Sequence, residues 1–332
     1  MNTPLIVTPQ AFNRRQFITR SAYAATAGLL GSDLIASAAE SPQASGETLV
    51  TQLYKSMTEV QRKAVCFPYE HPLRHKVDNN WHITNSPIEK LFTADQTDLI
   101  KQIFNSLHSP EYQKEVWRQF NEDSGKGGFG SAAIGVFGEP GTGKFEFVFT
   151  GRHCTRRCDG DSEAGVAFGG PIFYGHASKG FNEGPKHEGN VYWYQAQRAN
   201  EVFQALDGKQ REIALLGTGR EEQGNDTVKL TGKTKGLPGI PMSELHADQK
   251  ELVNKVLADL LAPFRKQDAA EAMKLIQGAG TENLHLAFYK NQDIGNDGVW
   301  DVWQLEGPSM VWYFRGQPHV HCWAHVREKA AV

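Results

Sequence analysis

The C-terminal segment Pro318-His319-Val320-His321-Cys322-Trp323-Ala324-His325-Val326 holds the residue types best suited to chemistry. If it is extended, alternate side chains point to opposite faces, so one face carries His319, His321, Trp323 and His325. Imidazole and indole groups are costly to bury without hydrogen bonds, so this face is predicted to line a cleft or a metal site. His319 and His321, about 7 Å apart along a strand, can both reach one ion, whereas His325 lies too far along the strand.

A second cluster follows the alternating aromatic residues Phe145, Phe147 and Phe149. Continuing that alternation places His153 on the aromatic face at the end of the strand, with Arg152 and Cys154 opposite. If related strands pack together, His153 completes a three-nitrogen site with His319 and His321. Such a site suits zinc, copper or iron and leaves a position open for water, substrate or dioxygen. A polar groove in which the histidines only form hydrogen bonds is the alternative.

Additional site candidates surround these histidines: Arg152, Cys154, Cys158, Glu306, Trp323 and His325. Cys154 and Cys158 are too distant for a disulfide on a straight strand. A turn at Arg156-Arg157 would permit a disulfide, and thiolate ligation of a metal is the competing interpretation.

A glycine-rich segment, Gly138-Glu139-Pro140-Gly141-Thr142-Gly143-Lys144, has the spacing of a nucleotide-binding loop. That motif needs a hydroxyl residue after the lysine and then a helix. Here Phe145 follows, and alternating phenylalanines predict a strand. The segment is therefore predicted to be a hairpin connection, and no nucleotide cofactor is expected.

Repeated segments indicate how these residues are positioned. Met57 to Ala64 is echoed by Leu206 to Ile213, and Ala94 to Ile100 is echoed by Ala247 to Val253. A third echo relates Phe145-x-Phe147, which leads to Gly151, to Trp300-x-Val302, which leads to Gly307; the first and third echoes are weak alone. Ordered echoes of this kind indicate an internal duplication, and chance similarity of short helical segments is the alternative.

Each copy is predicted to run from helices into antiparallel strands. Thr93 to Gln96 has the spacing of a capping box, and the apolar residues that follow repeat at helical intervals. The predicted strands are 132–137, 145–153, 165–174, 284–289, 299–305, 310–314 and 320–326, with hairpin links at 138–143 and 291–298. The fold class is therefore α+β, with a first half at 50–190 and a second at 191–332, packed as one globular unit.

The N-terminus has the pattern of an export signal. Arg14-Arg15 precedes Phe17, a short run of small apolar residues, and the small-residue sequence Ala36-Ser37-Ala38. These features predict a twin-arginine signal at 1–38 and a linker at 39–49. The expected location is the periplasm or another extracytoplasmic site, with the twin-arginine translocation machinery as a partner during export. The apolar run is too short to anchor the chain stably in a membrane.

Composition narrows the partners further. Without residues 1–38 the chain has 32 basic and 37 acidic residues, so its formal net charge changes from −3 to −5. This acidic balance argues against nucleic acid as a partner. The 33 glycines and 10% aromatic residues suggest a β-rich protein with tight turns. Four cysteines in a chain exported after folding leave both free and metal-bound thiols open.

The chain resembles the domain of unknown function 3500 family over roughly residues 55 to 326. The resemblance rests on Gln61-Arg62, Asn80-Trp81, Pro171-Ile172-Phe173-Tyr174-Gly175, Gly236-Leu237-Pro238, Leu284-His285-Leu286-Ala287-Phe288, Leu305-Glu306-Gly307-Pro308 and His319-Val320-His321-Cys322-Trp323. His153, His319 and His321 match the family pattern. The family typically has paired histidines where this chain has Arg152-His153, and often arginine where it has Ala324. The resemblance implies a shared fold and site, and no established reaction.

Three functional hypotheses follow. The first is a metalloenzyme, an oxidoreductase or hydrolase, that uses His153, His319 and His321 as ligands. The second is a non-catalytic binding protein whose aromatic and histidine-lined groove holds an unknown small-molecule ligand. The third is a metal-independent hydrolase with a histidine base, which no serine or cysteine nucleophile motif supports.

Overall fold

The computed structural model describes residues 45–177, 180–181, 190–295 and 299–330. The predicted signal at 1–38 and residues 39–44 of the predicted linker lie outside the described residues. The described residues belong to one compact unit.

Nine α-helices lie in the described part of the chain. They are α1 (Gly46–Ser56), α2 (Glu59–Val65), α3 (Ile88–Leu91), α4 (Ala94–Ser106), α5 (Gln113–Ser124), α6 (Trp193–Ala205), α7 (Gly208–Ala214), α8 (Ala247–Leu261) and α9 (Lys266–Gly278).

Eleven strands of the same residues form one sheet. They are β1 (Cys66–Phe67), β2 (Ala133–Gly138), β3 (Phe145–Gly151), β4 (Cys154–Cys158), β5 (Ile172–His176), β6 (Leu215–Leu216), β7 (Ile240–Pro241), β8 (His285–Tyr289), β9 (Val302–Gly307), β10 (Met310–Arg315) and β11 (Val320–Val326). The strand order is β1-β2-β3-β4-β5-β11-β10-β9-β8-β6, with β7 paired to β8. The predicted α+β class is therefore correct.

The two halves meet where β5 pairs with β11. On each side of this seam four antiparallel strands end in a two-residue strand that pairs in parallel, β1 with β2 and β6 with β8. The seam is antiparallel, and its central pair is Cys322 with Tyr174. Side chains near the seam can therefore come from both halves.

The segment that follows β3 differs from the prediction. Cys154–Cys158 forms strand β4, which pairs with β3 and β5, and the predicted strand at 165–174 is limited to Ile172–His176. Residues 159–171 contain a short 3₁₀ helix, Ala167–Gly169. The charged pair Arg156-Arg157 obscured β4, because its side chains are buried only through hydrogen bonds made after folding.

The sheet is covered differently on its two faces. One face packs on the helices, where β11 contributes Val320, Cys322, Ala324 and Val326 to the apolar core. The other face is covered by chain segments that contribute residues such as Val77, Trp81 and Val228. Trp323 points to this second face, as alternation along β11 predicts.

Corresponding helices in the two halves are joined by similar glutamine pairs. Gln61 accepts from the Thr58 backbone N–H and its Nε2 lies 2.7 Å from Gln96 Oε1. Gln210 accepts from the Asp207 backbone N–H and its Nε2 lies 3.0 Å from Gln249 Oε1. Each pair links the start of a short helix to the start of a long one, α2 to α4 and α7 to α8.

Two expectations from composition and local sequence were wrong. Helix α1 begins at Gly46, so the C-terminal part of the predicted linker is helical; Ser45 caps it and Leu49 is buried. Helical residues also outnumber strand residues in the described part of the chain. Many glycines instead occupy turns with positive φ, as Gly138 and Gly141 do in the β2–β3 hairpin. That hairpin is the predicted one, and it contains the glycine-rich segment before Phe145.

No helix in the described residues is both long and apolar enough to span a membrane.

Candidate metal centre

His153 lies in the tight turn between β3 and β4. Strand β3 ends at Gly151, which pairs with Cys154, so only Arg152 and His153 form the connection. The expectation that His153 continues the alternation of β3 was therefore wrong. His153 has a left-handed backbone with φ 51°, which is uncommon for residues other than glycine. Such a conformation at a side chain capable of ligation is consistent with a functional constraint.

The three predicted histidines come together at one end of the seam. His321 Nε2 lies 3.2 Å from His153 Nε2 and 3.0 Å from His319 Nε2. One ligand nitrogen from each ring lies within 4.8 Å of the other two. Tetrahedral zinc with Zn–N bonds of about 2.0–2.1 Å separates adjacent nitrogens by about 3.4 Å. The cluster therefore has nearly the spacing that a single ion requires.

Gly175 allows the rings to approach the seam. It pairs with His321, and a Cβ added to it would lie 2.2 Å from the Val320 carbonyl oxygen and 3.3 Å from His153 Cδ2. Any side chain at this position would push β5 away from β11 or displace the His153 ring. The glycine in the Phe173-Tyr174-Gly175 sequence thus has a direct steric role in forming the cluster.

A carboxylate holds the outer nitrogen of each of two rings. His153 Nδ1 lies 3.1 Å from Asp123 Oδ2, and both side chains are fully buried. His321 Nδ1 lies 2.7 Å from Glu222 Oε2. Carboxylates in this position orient metal-binding histidines and fix the tautomer in which Nε2 carries the lone pair. Asp123 belongs to α5 in the first half, whereas Glu222 belongs to the loop after β6 in the second half.

These hydrogen bonds determine what the facing nitrogens can do. If Nδ1–H donates to a carboxylate in both rings, then Nε2 of His153 and Nε2 of His321 are both acceptors. Two acceptors 3.2 Å apart repel each other unless a proton or a cation lies between them. The arrangement therefore favours a shared proton or a metal cation between the rings.

The charge states of the groups agree with this arrangement. Burial lowers the pKa of His319 to about 4, assisted by His321, His153 and Arg315. Burial also lowers the pKa of His321, although Glu222 acts in the opposite direction. Both rings are therefore neutral near pH 7, as ligation requires.

The two carboxylates are ionised. Burial raises the pKa of Asp123, but hydrogen bonds from His153, the Ala177 backbone N–H and Gln119 outweigh that effect, so the pKa lies below its ordinary value. Burial likewise raises the pKa of Glu222, and His321 and Arg315 together bring it below the ordinary range. The site thus combines neutral nitrogen donors with negative charge behind them.

The additional candidates occupy other positions. Arg152 is exposed, and its guanidinium contacts only the Asp123 backbone oxygen, at 3.5 Å, among the contacts described. His325 Nδ1 lies 3.3 Å from the Val228 oxygen. Glu306 lies on β9, which β10 separates from β11, and it accepts hydrogen bonds from Arg220 and Gln304. Trp323 lies on the same face as His321, and its ring packs 4.5 Å from Phe173, which contacts His321.

Cys154 and Cys158 do not form a disulfide. They lie at opposite ends of β4, about 13 Å apart at the rise of a strand. The turn proposed at Arg156-Arg157 is absent, so the disulfide interpretation was wrong, and one ion cannot bind both thiols. Both cysteines are free and buried, and burial raises the pKa of Cys154 to about 11. They are core residues beneath the helices.

A pocket of about 230 Å³ lies elsewhere on the second half. It is lined by Leu216, Thr218, Gly219, Arg220, Pro238, Tyr289 and Gln304. None of the three histidines lines it, so it is not the histidine-lined groove of the second hypothesis.

Sequence reasoning missed Asp123 and Glu222. Asp123 did leave a signal, because it follows Val116, Gln119 and Phe120 at helical spacing and so falls on the buried stripe of α5. A carboxylate on an apolar stripe is costly unless it has a partner. Glu222 lies in a polar loop with no periodicity, and its role depends on the path of that loop across the sheet.

Comparison with known proteins gives one match. The family model described as "Protein of unknown function (DUF3500)" matches residues 40–330. No curated protein and no solved structure matches the chain.

Proposed function

The chain belongs to the DUF3500 family, and we propose that it binds one transition-metal ion through His153, His319 and His321. The observation that carries the proposal is the facing pair of Nε2 atoms, each in a ring whose Nδ1 is held by a buried carboxylate. Three protein ligands leave the fourth tetrahedral position for an exogenous ligand, as in catalytic metal sites. The spacing and the nitrogen donors fit zinc best, and copper and iron accept the same donors.

An open position on such an ion supports two classes of reaction. Zinc would polarise a bound water for hydrolysis, whereas copper or iron would support oxidation chemistry. The chain's own residues would supply orientation: Asp123 and Glu222 hold two of the three rings from opposite halves of the molecule. The proposed activity is therefore that of a mononuclear metalloenzyme, with the metal deciding its class.

Elemental analysis tests the proposal. Protein purified without chelators, or reconstituted and then desalted, should contain close to one equivalent of zinc, copper or iron. His321→Ala and His153→Ala should each reduce the metal content to a small fraction of that, because two imidazoles hold a divalent ion far more weakly than three. His82→Ala is the matched control, since His82 is exposed and contacts only the Ser131 backbone oxygen among the contacts described. Wild-type protein that retains no metal after reconstitution would refute the proposal.

The export route is part of the same proposal. The Arg14-Arg15 signal would carry the protein across the inner membrane after folding, so the metal would be bound before export. Fractionation of cells producing the full chain tests this: Arg14→Lys combined with Arg15→Lys should retain the unprocessed protein in the cytoplasm. Export that is unaffected by the double substitution would contradict it.

We also propose that the two halves arose by duplication. Support comes from the matching glutamine pairs, Gln61 with Gln96 and Gln210 with Gln249, and from the similar strand order on both sides of the seam. Alignment of residues 50–190 with residues 191–332 across many family members tests the idea. The paired glutamines should fall in shared columns, and an alignment no better than that of shuffled halves would contradict common origin.

A further inference from the structure

Arg315 lies directly beside the proposed metal site. It is on β10, paired across the antiparallel ladder with His321 on β11. Side chains opposite each other in such a ladder have Cβ atoms about 4.5–5.5 Å apart. Arg315 Nη1 lies 3.2 Å from Glu222 Oε2, the same oxygen that lies 2.7 Å from His321 Nδ1. Arg315 is therefore coupled to the ligand set through one shared carboxylate oxygen.

The contact with Glu222 does not use all the hydrogen-bond donors of Arg315. A guanidinium has five N–H donors in a fixed plane. Its Nε is buried and has no hydrogen-bond partner among the described residues. The side chain is 14% exposed, so part of it reaches solvent at the same end of the seam as half-buried His319. Donor capacity therefore remains for a ligand beside the histidines.

The charges around the site do not sum to zero once a divalent ion is bound. The ion contributes +2, Asp123 and Glu222 each contribute −1, and Arg315 contributes +1, which leaves +1. An imidazole that binds a metal through the lone pair of Nε2 contributes no charge. The exposed guanidinium of Arg152, near the Asp123 backbone, adds to the excess in the same direction. A net positive centre in a partly buried position favours a singly charged anion over a neutral ligand.

We infer that the open coordination position takes a carboxylate, with one oxygen on the metal and the guanidinium of Arg315 binding the other. The planar fork of arginine matches carboxylate geometry, which a lysine ammonium does not. The inferred substrates or ligands are thus small organic acids. This inference rests on the proposed metal site, and it assigns Arg315 to ligand recognition rather than to metal binding.

Cobalt-substituted protein provides the test, because the visible spectrum of Co²⁺ reports changes in its ligands. Acetate is the probe, and imidazole is the neutral comparison ligand. Acetate should perturb the wild-type spectrum saturably. Arg315→Met should weaken acetate binding by about tenfold or more, the effect of losing one charge-assisted hydrogen bond, while imidazole binding stays within about threefold. Arg315→Lys should bind acetate less tightly than wild type and more tightly than Arg315→Met, since lysine keeps the charge but lacks the planar guanidinium.

The controls distinguish failure of the inference about Arg315 from failure of the proposed metal site. Arg118→Met is the matched control, because Arg118 pairs with Glu115 on the surface of α5 and should leave acetate binding unchanged. If wild-type protein binds no cobalt, the metal site itself is refuted, and this inference with it. If cobalt binds with one-to-one stoichiometry but Arg315→Met binds acetate as tightly as wild type does, only the inference about Arg315 is overturned. Should Arg315→Met not fold, the same comparison is made with Arg315→Lys.

Discussion

The two halves of the molecule are alike on the helical face of the sheet and different on the other. On the helical face, each half joins a short and a long helix by a buried glutamine pair with nearly the same distances. On the opposite face, the first half buries Glu146 with Arg74 and Arg157, whereas the second half packs Tyr289, Tyr313 and Trp323 beside a more exposed Arg220–Glu306 pair. The helical scaffold is thus similar in the two halves, and the packing on the opposite face differs.

The difference shows where change is tolerated. Helix packing requires the same hydrogen bonds in both halves, because the first turn of each helix has backbone N–H groups that need acceptors. The other face has no repeated backbone requirement and can hold ions in one half and aromatic rings in the other. The histidine cluster lies at the seam, where each half contributes one histidine–carboxylate pair.

The largest effect is expected from breaking the buried ion pair of the first half. Arg157 contacts Glu146 and the backbone oxygens of Pro171, Arg74 and Lys76, and is almost fully buried. Arg157→Met should lower the free energy of unfolding by about 3–5 kcal/mol in chemical denaturation, since it leaves a buried carboxylate partly uncompensated. Arg220→Met, at the more exposed pair of the second half, should cost less. The surface variant Lys101→Met should change stability by no more than about 1 kcal/mol. Equal losses at Arg157 and Arg220 would remove the contrast between the two faces.

The next effect compares the two carboxylates of the proposed metal centre. Asp123→Asn and Glu222→Gln should each weaken metal binding by about 10- to 100-fold, measured by competition with a chelating dye. Asp123 should have the larger effect, because its pair with His153 is fully buried, whereas Glu222 is 11% exposed and shares its oxygen with Arg315. Glu306→Gln is the control and should leave affinity unchanged. A larger loss of metal affinity in Glu222→Gln than in Asp123→Asn would contradict this prediction.

A pH dependence of stability should arise in the first half from His108. Burial lowers the pKa of His108 to about 3, and Arg156, which donates to its Nε2 at 2.9 Å, acts in the same direction. Below about pH 6.5 the His108 ring of the unfolded chain binds a proton, whereas the ring of the folded chain stays neutral until about pH 3. Burying the neutral ring therefore costs no stability above pH 6.5, and the free energy of unfolding falls as the pH decreases from 6.5 towards 3.

When the pH is lowered from 6.5 to 4.5, the free energy of unfolding of the wild type should therefore fall by about 2 kcal/mol more than that of His108→Gln. Chemical denaturation of both proteins at each pH measures the difference. The bridge partner of His108 in the second half is Phe264, which does not titrate. Phe264→Leu should change stability without changing its pH dependence. A pH profile unaffected by His108→Gln would show that folding does not lower the pKa of this ring.

The smallest effects should be equal in the two halves. Thr58 and Asp207 cap α2 and α7 through the same capping-box geometry. Thr58→Ala and Asp207→Ala should each cost about 1 kcal/mol in thermal unfolding. Ser131→Ala, outside these caps, is a comparison variant with a single local hydrogen bond. Costs that differ by more than about twofold between the two caps would break the likeness of the halves on the helical face.

Much of the fold was predictable because its signals are local. Apolar residues at helical spacing predicted α4 and α8, and strict alternation predicted β11 with the bounds observed. Strand β4 was missed because Arg156 and Arg157 interrupt its apolar pattern, and no local signal reveals that distant carbonyls and carboxylates satisfy them. The disulfide interpretation failed for the same reason, since it required a turn at those arginines.

The sequence by itself determined which side chains face together along one element: His319 and His321 lie two apart on β11, and that spacing alone makes them neighbours. Only the tertiary structure decided what joins them. His153 reaches the site through a left-handed turn. Asp123 lies 30 residues before His153, and Glu222 lies 99 residues before His321, in the loop after β6. Sequence spacing determines the distance between two residues of one strand. Distances across the seam depend on how strands from both halves pair, and that pairing depends on contacts between residues far apart in the sequence.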